Sequence, residues 1–214
     1  MSRFLRPDAE VAAAYLELRA RVVALLRELP EADAGRVVPH CPAWTVAELS
    51  AHLVGVPDDI LAGRMEGVTT EAWTQAQVER LRGRTLTELA DHYEAGSVAF
   101  DPVLAVIPAP VNAQLVMDAV THEHDLRHAV GRPGARDSTA VAVGQGWLLN
   151  MVERRAPELA EVLAGSGIAS FDVLRALSGR RSAGQIAALG LDGAAITALL
   201  AGSPLRPPVH AVGD

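Results

Sequence analysis

Apolar residues recur at helical spacing through long stretches of this chain, and that pattern most constrains its fold. In the first stretch, apolar residues follow one another at intervals of four and three: Val11, Tyr15, Leu18, Val22, Leu25 and Leu29. This spacing lines one face of a helix, so we predict a first helix over about Asp8 to Leu29. Proline is poorly tolerated inside helices, and here most prolines lie between such stretches.

Two sequences of the form S/T-x-x-E predict where later helices begin. In Thr45–Glu48 the threonine can cap a helix N-terminus while the glutamate returns a hydrogen bond to it. Thr85–Glu88 has the same form. We therefore predict a second long helix from Thr45 with a kink at Pro57, a short helix from Glu71, and a further helix from Thr85 to about Phe100.

The second half of the chain predicts two more long helices and a helical end. One runs from Val111 to Val130, with Gly131 as a candidate C-cap. The next begins near Ser138 and is kinked or ended at Pro157. Residues 168–200 predict two or three short helices, and these are separated by three glycines: Gly179, Gly190 and Gly193.

The predicted fold class is therefore all-α. Strand alternation of useful length is absent from the sequence. Four long amphipathic helices with a long crossover between the second and third predict an up-and-down four-helix bundle. We assign residues 1–165 to this bundle and residues 166–214 to a short helical C-terminal extension.

Composition limits the partners of the chain. The 19 Lys and Arg against 26 Asp and Glu give a net charge of −7, which argues against nucleic acid or an anionic membrane as partner. The single cysteine, Cys41, excludes an intramolecular disulfide, and we interpret it as structural rather than as a nucleophile. With no signal-peptide-like start and no long apolar run, we expect a cytoplasmic protein, and its oligomeric state stays open.

Histidines give the clearest chemical signal, because signatures such as G-x-G-x-x-G and G-x-S-x-G are absent. Three of the seven histidines lie within Thr121–His128. Residues four apart share one face of a helix, so Asp118 with His122, or His124 with His128, can chelate a metal. His122 falls on the apolar stripe of its helix, whereas His124 and His128 are predicted to face solvent.

His52 is the natural partner of His122. It lies on the second long helix with Leu49 and Val56 at helical spacing, so it can face the bundle interior. Two histidines and a carboxylate would supply the three protein ligands of a catalytic metal site. Asp125, three residues after His122, can orient its ring or cap the local turn.

An alternative interpretation of His122 needs no metal. A histidine on a helix is commonly a hydrogen-bonded core residue, and His122 then needs only polar partners in the interior. On that interpretation Glu123 and Arg127 belong to a solvated face of the helix.

Three stretches carry a resemblance to a known family: VPHCPAWTVAELSAHL at 38–53, DAVTHEHDLRHAVG at 118–131 and FDVLRALSGRRSAGQI at 171–186. They resemble the DinB-like metal-dependent hydrolase superfamily, and within it the mycothiol-dependent maleylpyruvate isomerase-like branch. The resemblance implies a four-helix bundle with a divalent metal, zinc or alternatively nickel. It implies His52, Asp118 and His122 as ligands, although the branch commonly has glutamate at the position of Asp118.

The resemblance also implies a function. The metal of such proteins binds the thiolate of mycothiol, because a cation lowers the pKa of a thiol. The chain would then be a thiol-dependent transferase or isomerase, with a small-molecule thiol and a small electrophile as partners. Arg175, Arg180 and Arg181 can bind an anionic thiol or substrate, or brace the last helices. The alternative function is a non-catalytic binding or regulatory bundle that has lost the metal chemistry.

Overall fold

The computed structural model describes residues 2–213 and confirms the all-α class. Within these residues, none of the helices has the length and apolar character needed to cross a membrane. The helices, in chain order, are α1 (Asp8–Glu28), α2 (Val46–Leu61), α3 (Glu71–Leu81), α4 (Leu86–Ala95), α5 (Ser97–Leu104), α6 (Val111–Ala129), α7 (Thr139–Glu153), α8 (Pro157–Gly165), α9 (Ser170–Leu177), α10 (Ala183–Ala188) and α11 (Gly193–Leu200). The four longest, α1, α2, α6 and α7, are the predicted long helices, and α3–α5 occupy the predicted crossover.

Both predicted capping boxes are confirmed. The Thr45 side chain accepts a hydrogen bond from the backbone N–H of Glu48, and the Glu48 carboxylate accepts one from the backbone N–H of Thr45 at 2.9 Å. Thr85 and Glu88 form the same pair at the start of α4. These reciprocal bonds satisfy backbone donors that have no partner within the helix, which explains why α2 and α4 begin where they do.

Two predicted helix limits are wrong. The helix expected from Thr85 to Phe100 is divided at Gly96 into α4 and α5, since glycine is a weak helix former. Gly193, expected to break a helix, is instead the first residue of α11. A Cβ at Gly193 would collide with the backbone of Ala183, so this glycine permits the close approach of α10 and α11.

A small β-hairpin precedes α2, where the sequence predicts only a loop. Strand β1 (Val37–Val38) pairs antiparallel with β2 (Cys41–Thr45). Two such short strands give no periodic signal, and prolines in the segment favour the interpretation as a loop. The hairpin leads directly into α2, so its second strand has a fixed place beside the start of that helix.

The chain divides into two compact units. One consists of residues 15–107 and 122–134, and the other of residues 1–14, 108–121 and 135–214. The first unit has its own apolar core, which includes Leu49 and Leu89, and the second has a core that includes Leu148 and Leu174. The division at residue 165 in the sequence-based prediction stays a prediction.

Helices α2 and α3 pack closely because Gly55 has no side chain. A Cβ on Gly55 would lie 2.6 Å from Cβ and 2.8 Å from Cγ of Gln77, and 3.4 Å from its Cα. The nearest atoms therefore belong to the root of the Gln77 side chain, which cannot move without its backbone. Gly55 thus sets the position of Gln77 against α2.

We expect Gly55→Ala to lower the free energy of unfolding by about 1–3 kcal/mol, the usual cost of overpacking a buried contact. Urea denaturation measures this change. The matched control is Gly184→Ala in α10, where an added Cβ meets nothing within 4 Å and alanine is the better helix former. Equal stability of Gly55→Ala and the control would contradict the assigned role of Gly55.

Candidate metal centre

Two buried histidines lie side by side, His52 on α2 and His122 on α6. Their ring centroids are 5.1 Å apart with the rings nearly perpendicular, and their exposed fractions are only 2% and 8%. Trp44, on β2, has its ring centroid 5.2 Å from that of His52 and 6.2 Å from that of His122. The hairpin therefore places an indole ring against both imidazoles.

A carboxylate completes a set of possible metal ligands. Asp118 lies one turn before His122 on α6, and residues at this spacing share a helix face. Candidate ligand atoms of His52, Asp118 and His122 all lie within 4.8 Å of one another. Two imidazoles and one carboxylate form a donor set suited to a catalytic divalent ion.

Asp125 contacts both His122 and Cys41. Its Oδ2 atom lies 3.2 Å from Nδ1 of His122 and 3.6 Å from the Cys41 sulfur, which donates to it. Asp125 is fully buried, whereas Cys41 is half-buried. Cys41, His122 and Asp125 form a second group with ligand atoms within 4.8 Å of one another. Sequence reasoning missed this proximity of Cys41, because it depends on the unpredicted hairpin.

His52 is held by a second buried polar contact that sequence reasoning also missed. Its Nδ1 lies 2.7 Å from Oε1 of Gln77, whose Nε2 donates to Oδ2 of Asp59 at 2.8 Å. Gln77 and Asp59 are both completely buried. Asp59 follows His52 by seven residues, which places both on one face of α2, and this spacing is the available sequence signal.

Two arginines keep Asp59 charged. Arg64 donates from Nε to Oδ1 at 2.6 Å, and Arg80 donates to the same oxygen. Burial alone would raise the pKa of Asp59, but the hydrogen bonds from Arg64, Arg80 and Gln77 outweigh burial and lower that pKa below its usual range. Asp59 is therefore an ionised acceptor inside the unit.

The prediction that one side of α6 faces solvent is wrong. His124 is buried, with 5% of its surface exposed, and Glu123 is completely buried. All residues from Thr121 to Leu126 are buried, so α6 is covered on more than one face. His128 is half-buried, and its ring contacts that of His40 edge-on, with centroids 5.0 Å apart.

The buried charge of Glu123 is paired with two arginines. Arg21 of α1 donates to both carboxylate oxygens at 2.9 and 2.8 Å, and Arg127 donates from Nε at 3.0 Å. Glu123 and Arg127 therefore form an internal ion-pair network with Arg21, not the solvated face considered from the sequence. The network joins α6 to α1 within the first unit.

The three arginines near the C-terminal end contact protein groups in the second unit. Arg175 is completely buried and donates to the backbone oxygen of Thr121 at 3.4 Å. Arg180 donates to the backbone oxygen of Ser178 at 2.7 Å, and Arg181 lies 3.5 Å from Asp172. These contacts agree with the alternative in which the arginines brace the last helices. An anion-binding role for the three arginines stays a prediction.

We expect Glu123→Ala to lower the free energy of unfolding by about 3 kcal/mol or more, since it leaves two largely buried arginines without their carboxylate. The control is Glu94→Ala, which removes an exposed partner of Arg27 and has a much smaller effect. Urea denaturation of both variants measures the difference. Equal losses of stability would show that the buried network contributes no more than a surface ion pair.

The chain also matches a family model described as the mycothiol maleylpyruvate isomerase N-terminal domain, over residues 15–133. The matched segment is more than half of the chain and includes the hairpin, α2 and all of α6. The chain belongs to this family, which confirms the resemblance found in the sequence, and its helices agree with the all-α DinB-like fold. Comparisons with curated proteins and with solved structures found no match.

Proposed function

We propose that this chain is a metal-dependent enzyme that uses a small-molecule thiol, mycothiol, to transfer or isomerise a small electrophile. The observation that carries the proposal is the group of His52, Asp118 and His122, whose ligand atoms are mutually close in a chain of this family. The proposed ion is zinc, with nickel as the alternative, because both suit nitrogen and oxygen ligands. The proposed compartment is the cytoplasm.

The donor set fits a divalent ion chemically. A metal-binding histidine usually donates a hydrogen bond from its other ring nitrogen, which fixes the ring. Nδ1 of His122 lies beside Asp125, and Nδ1 of His52 lies beside Gln77. Both rings would therefore present Nε2 as the metal ligand, and we propose Asp125 as the residue that orients His122.

A bound divalent ion would supply positive charge that lowers the pKa of a thiol, so that thiolate is present at neutral pH. The protein contributes the surroundings. The ring of Trp44 lies against both imidazole rings. The three ligands leave a coordination position for a molecule from solution.

Metal content tests the first part of the proposal. After dialysis against a weak chelator, we expect wild type to retain about one zinc or nickel ion per chain and His122→Ala to lose it. The control is His92→Ala, which removes a half-buried histidine that lies 2.9 Å from Asp58. Wild type without metal would contradict the proposal and favour the non-catalytic bundle.

Thiol binding tests the second part, and the single cysteine makes the experiment clean. In Cys41→Ser the protein has no thiol of its own, so a thiolate-to-cobalt charge-transfer band in the cobalt-loaded variant must arise from added thiol. We expect mycothiol to produce this band, and cobalt-loaded His122→Ala to lack it. Cobalt binding without a band at saturating mycothiol would contradict a thiol-dependent function.

A further inference from the structure

A continuous hydrogen-bonded chain leads from two arginines to His52. Arg64 and Arg80 donate to Asp59, Gln77 joins Asp59 to His52, and the two joining contacts are 2.8 and 2.7 Å long. We name Asp59, Gln77 and His52 the relay. All three residues are at least 98% buried, so their polar atoms depend on one another rather than on solvent.

The charge on Asp59 fixes the direction of every hydrogen bond in the relay. An ionised carboxylate only accepts hydrogen bonds, so Gln77 must present its NH₂ group to Asp59. The amide oxygen of Gln77 then faces His52, and this oxygen also only accepts. His52 must therefore donate from Nδ1, which leaves the lone pair of the neutral ring on Nε2.

The opposite orientation of the Gln77 amide is unfavourable. Turning the Gln77 amide over would place its oxygen against the Asp59 carboxylate, so that two acceptors would face each other in a buried place. Gln77 also has little room to move away, since its Cβ and Cγ pack against Gly55. Packing and charge thus favour the same orientation of the amide.

We propose that the relay holds His52 in the tautomer that presents Nε2 as a metal ligand, which makes Gln77 a positioning residue of the metal centre. The part concerning metal rests on the proposed function. The tautomer itself follows from the relay and exists in the metal-free protein, so the two can be tested separately.

The relay also strengthens His52 as a ligand without adding net charge beside it. A hydrogen bond to Nδ1–H increases the basicity of the other ring nitrogen. Asp59 acts through a neutral amide, and its charge is balanced by Arg64 and Arg80. His122 differs because Asp125 contacts its ring directly.

Nitrogen-15 NMR of metal-free protein tests the tautomer. At about pH 8, where an ordinary histidine is neutral, we expect wild-type His52 to carry its proton on Nδ1, with the signal assigned by its absence in His52→Ala. Gln77→Leu, which fills the same space without an acceptor, gives a population with the proton on Nε2. The control Gln75→Leu, on the exposed side of α3 beside Glu79, leaves the wild-type spectrum.

Two further variants separate the role of the Gln77 amide oxygen from the role of the Asp59 charge. Gln77→Glu places a carboxyl oxygen where the NH₂ group faced Asp59, so it must hold a proton there and donate it to Asp59. Its other oxygen still accepts from Nδ1, so we expect it to keep the wild-type tautomer that Gln77→Leu loses. In Asp59→Asn the two arginines keep the amide oxygen on their side, so the NH₂ group faces Gln77 and turns the Gln77 amide over. We therefore expect the His52 proton to move to Nε2. Circular dichroism checks that each variant is folded. Unchanged Nδ1 protonation in both Gln77→Leu and Asp59→Asn would overturn the proposal.

Zinc affinity, measured by competition with a chromogenic chelator, tests the link to the metal. We expect Gln77→Leu to bind zinc about 10- to 100-fold more weakly than wild type, the usual effect of losing the partner of a ligand histidine, and Gln75→Leu to bind normally. Unchanged affinity in Gln77→Leu would refute the link while leaving the proposed function intact. A wild type with the expected tautomer but no zinc binding would instead refute the proposed function.

Discussion

The site depends on buried carboxylates whose charge is balanced by arginines. Removing a carboxylate from water costs several kcal/mol unless cations and hydrogen bonds replace the lost hydration. Arg64 and Arg80 supply that replacement for Asp59, and Arg21 and Arg127 supply it for Glu123. Once compensated, a buried charge orders the polar groups around it, because it accepts hydrogen bonds from defined directions.

The sequence best predicts the features that depend only on residues close together in the chain. Both capping boxes need only a threonine and a glutamate three residues apart, and both helices begin where that pattern occurs. The spacing of Asp118 and His122 likewise follows from one turn of helix. The apolar stripe correctly indicates that His52 and His122 are buried. These features need no knowledge of which helices pack together.

The rest of the site depends on contacts between distant parts of the chain. Cys41 and Asp125 are 84 residues apart, and His52 and Gln77 are 25 apart. No local periodicity links such pairs. The errors at Glu123 and His124 have a related cause, since hydrophobic spacing marks one buried face and gives no sign that arginines from elsewhere will cover another. Buried charges of this kind become recognisable only when their partners are located.

His52 and His122 each have a hydrogen-bond acceptor at Nδ1, and the structure supplies it in two different ways. His122 has a carboxylate at its Nδ1, and that carboxylate also accepts from the Cys41 sulfur. His52 has the amide of Gln77 at its Nδ1, and the carboxylate of Asp59 contacts the other end of that amide. In the proposed metal centre, a second direct carboxylate would add negative charge where Asp118 and a bound thiolate would already oppose one cation. The amide relay would orient His52 without that charge, so the proposed centre would remain able to accept an anionic thiol.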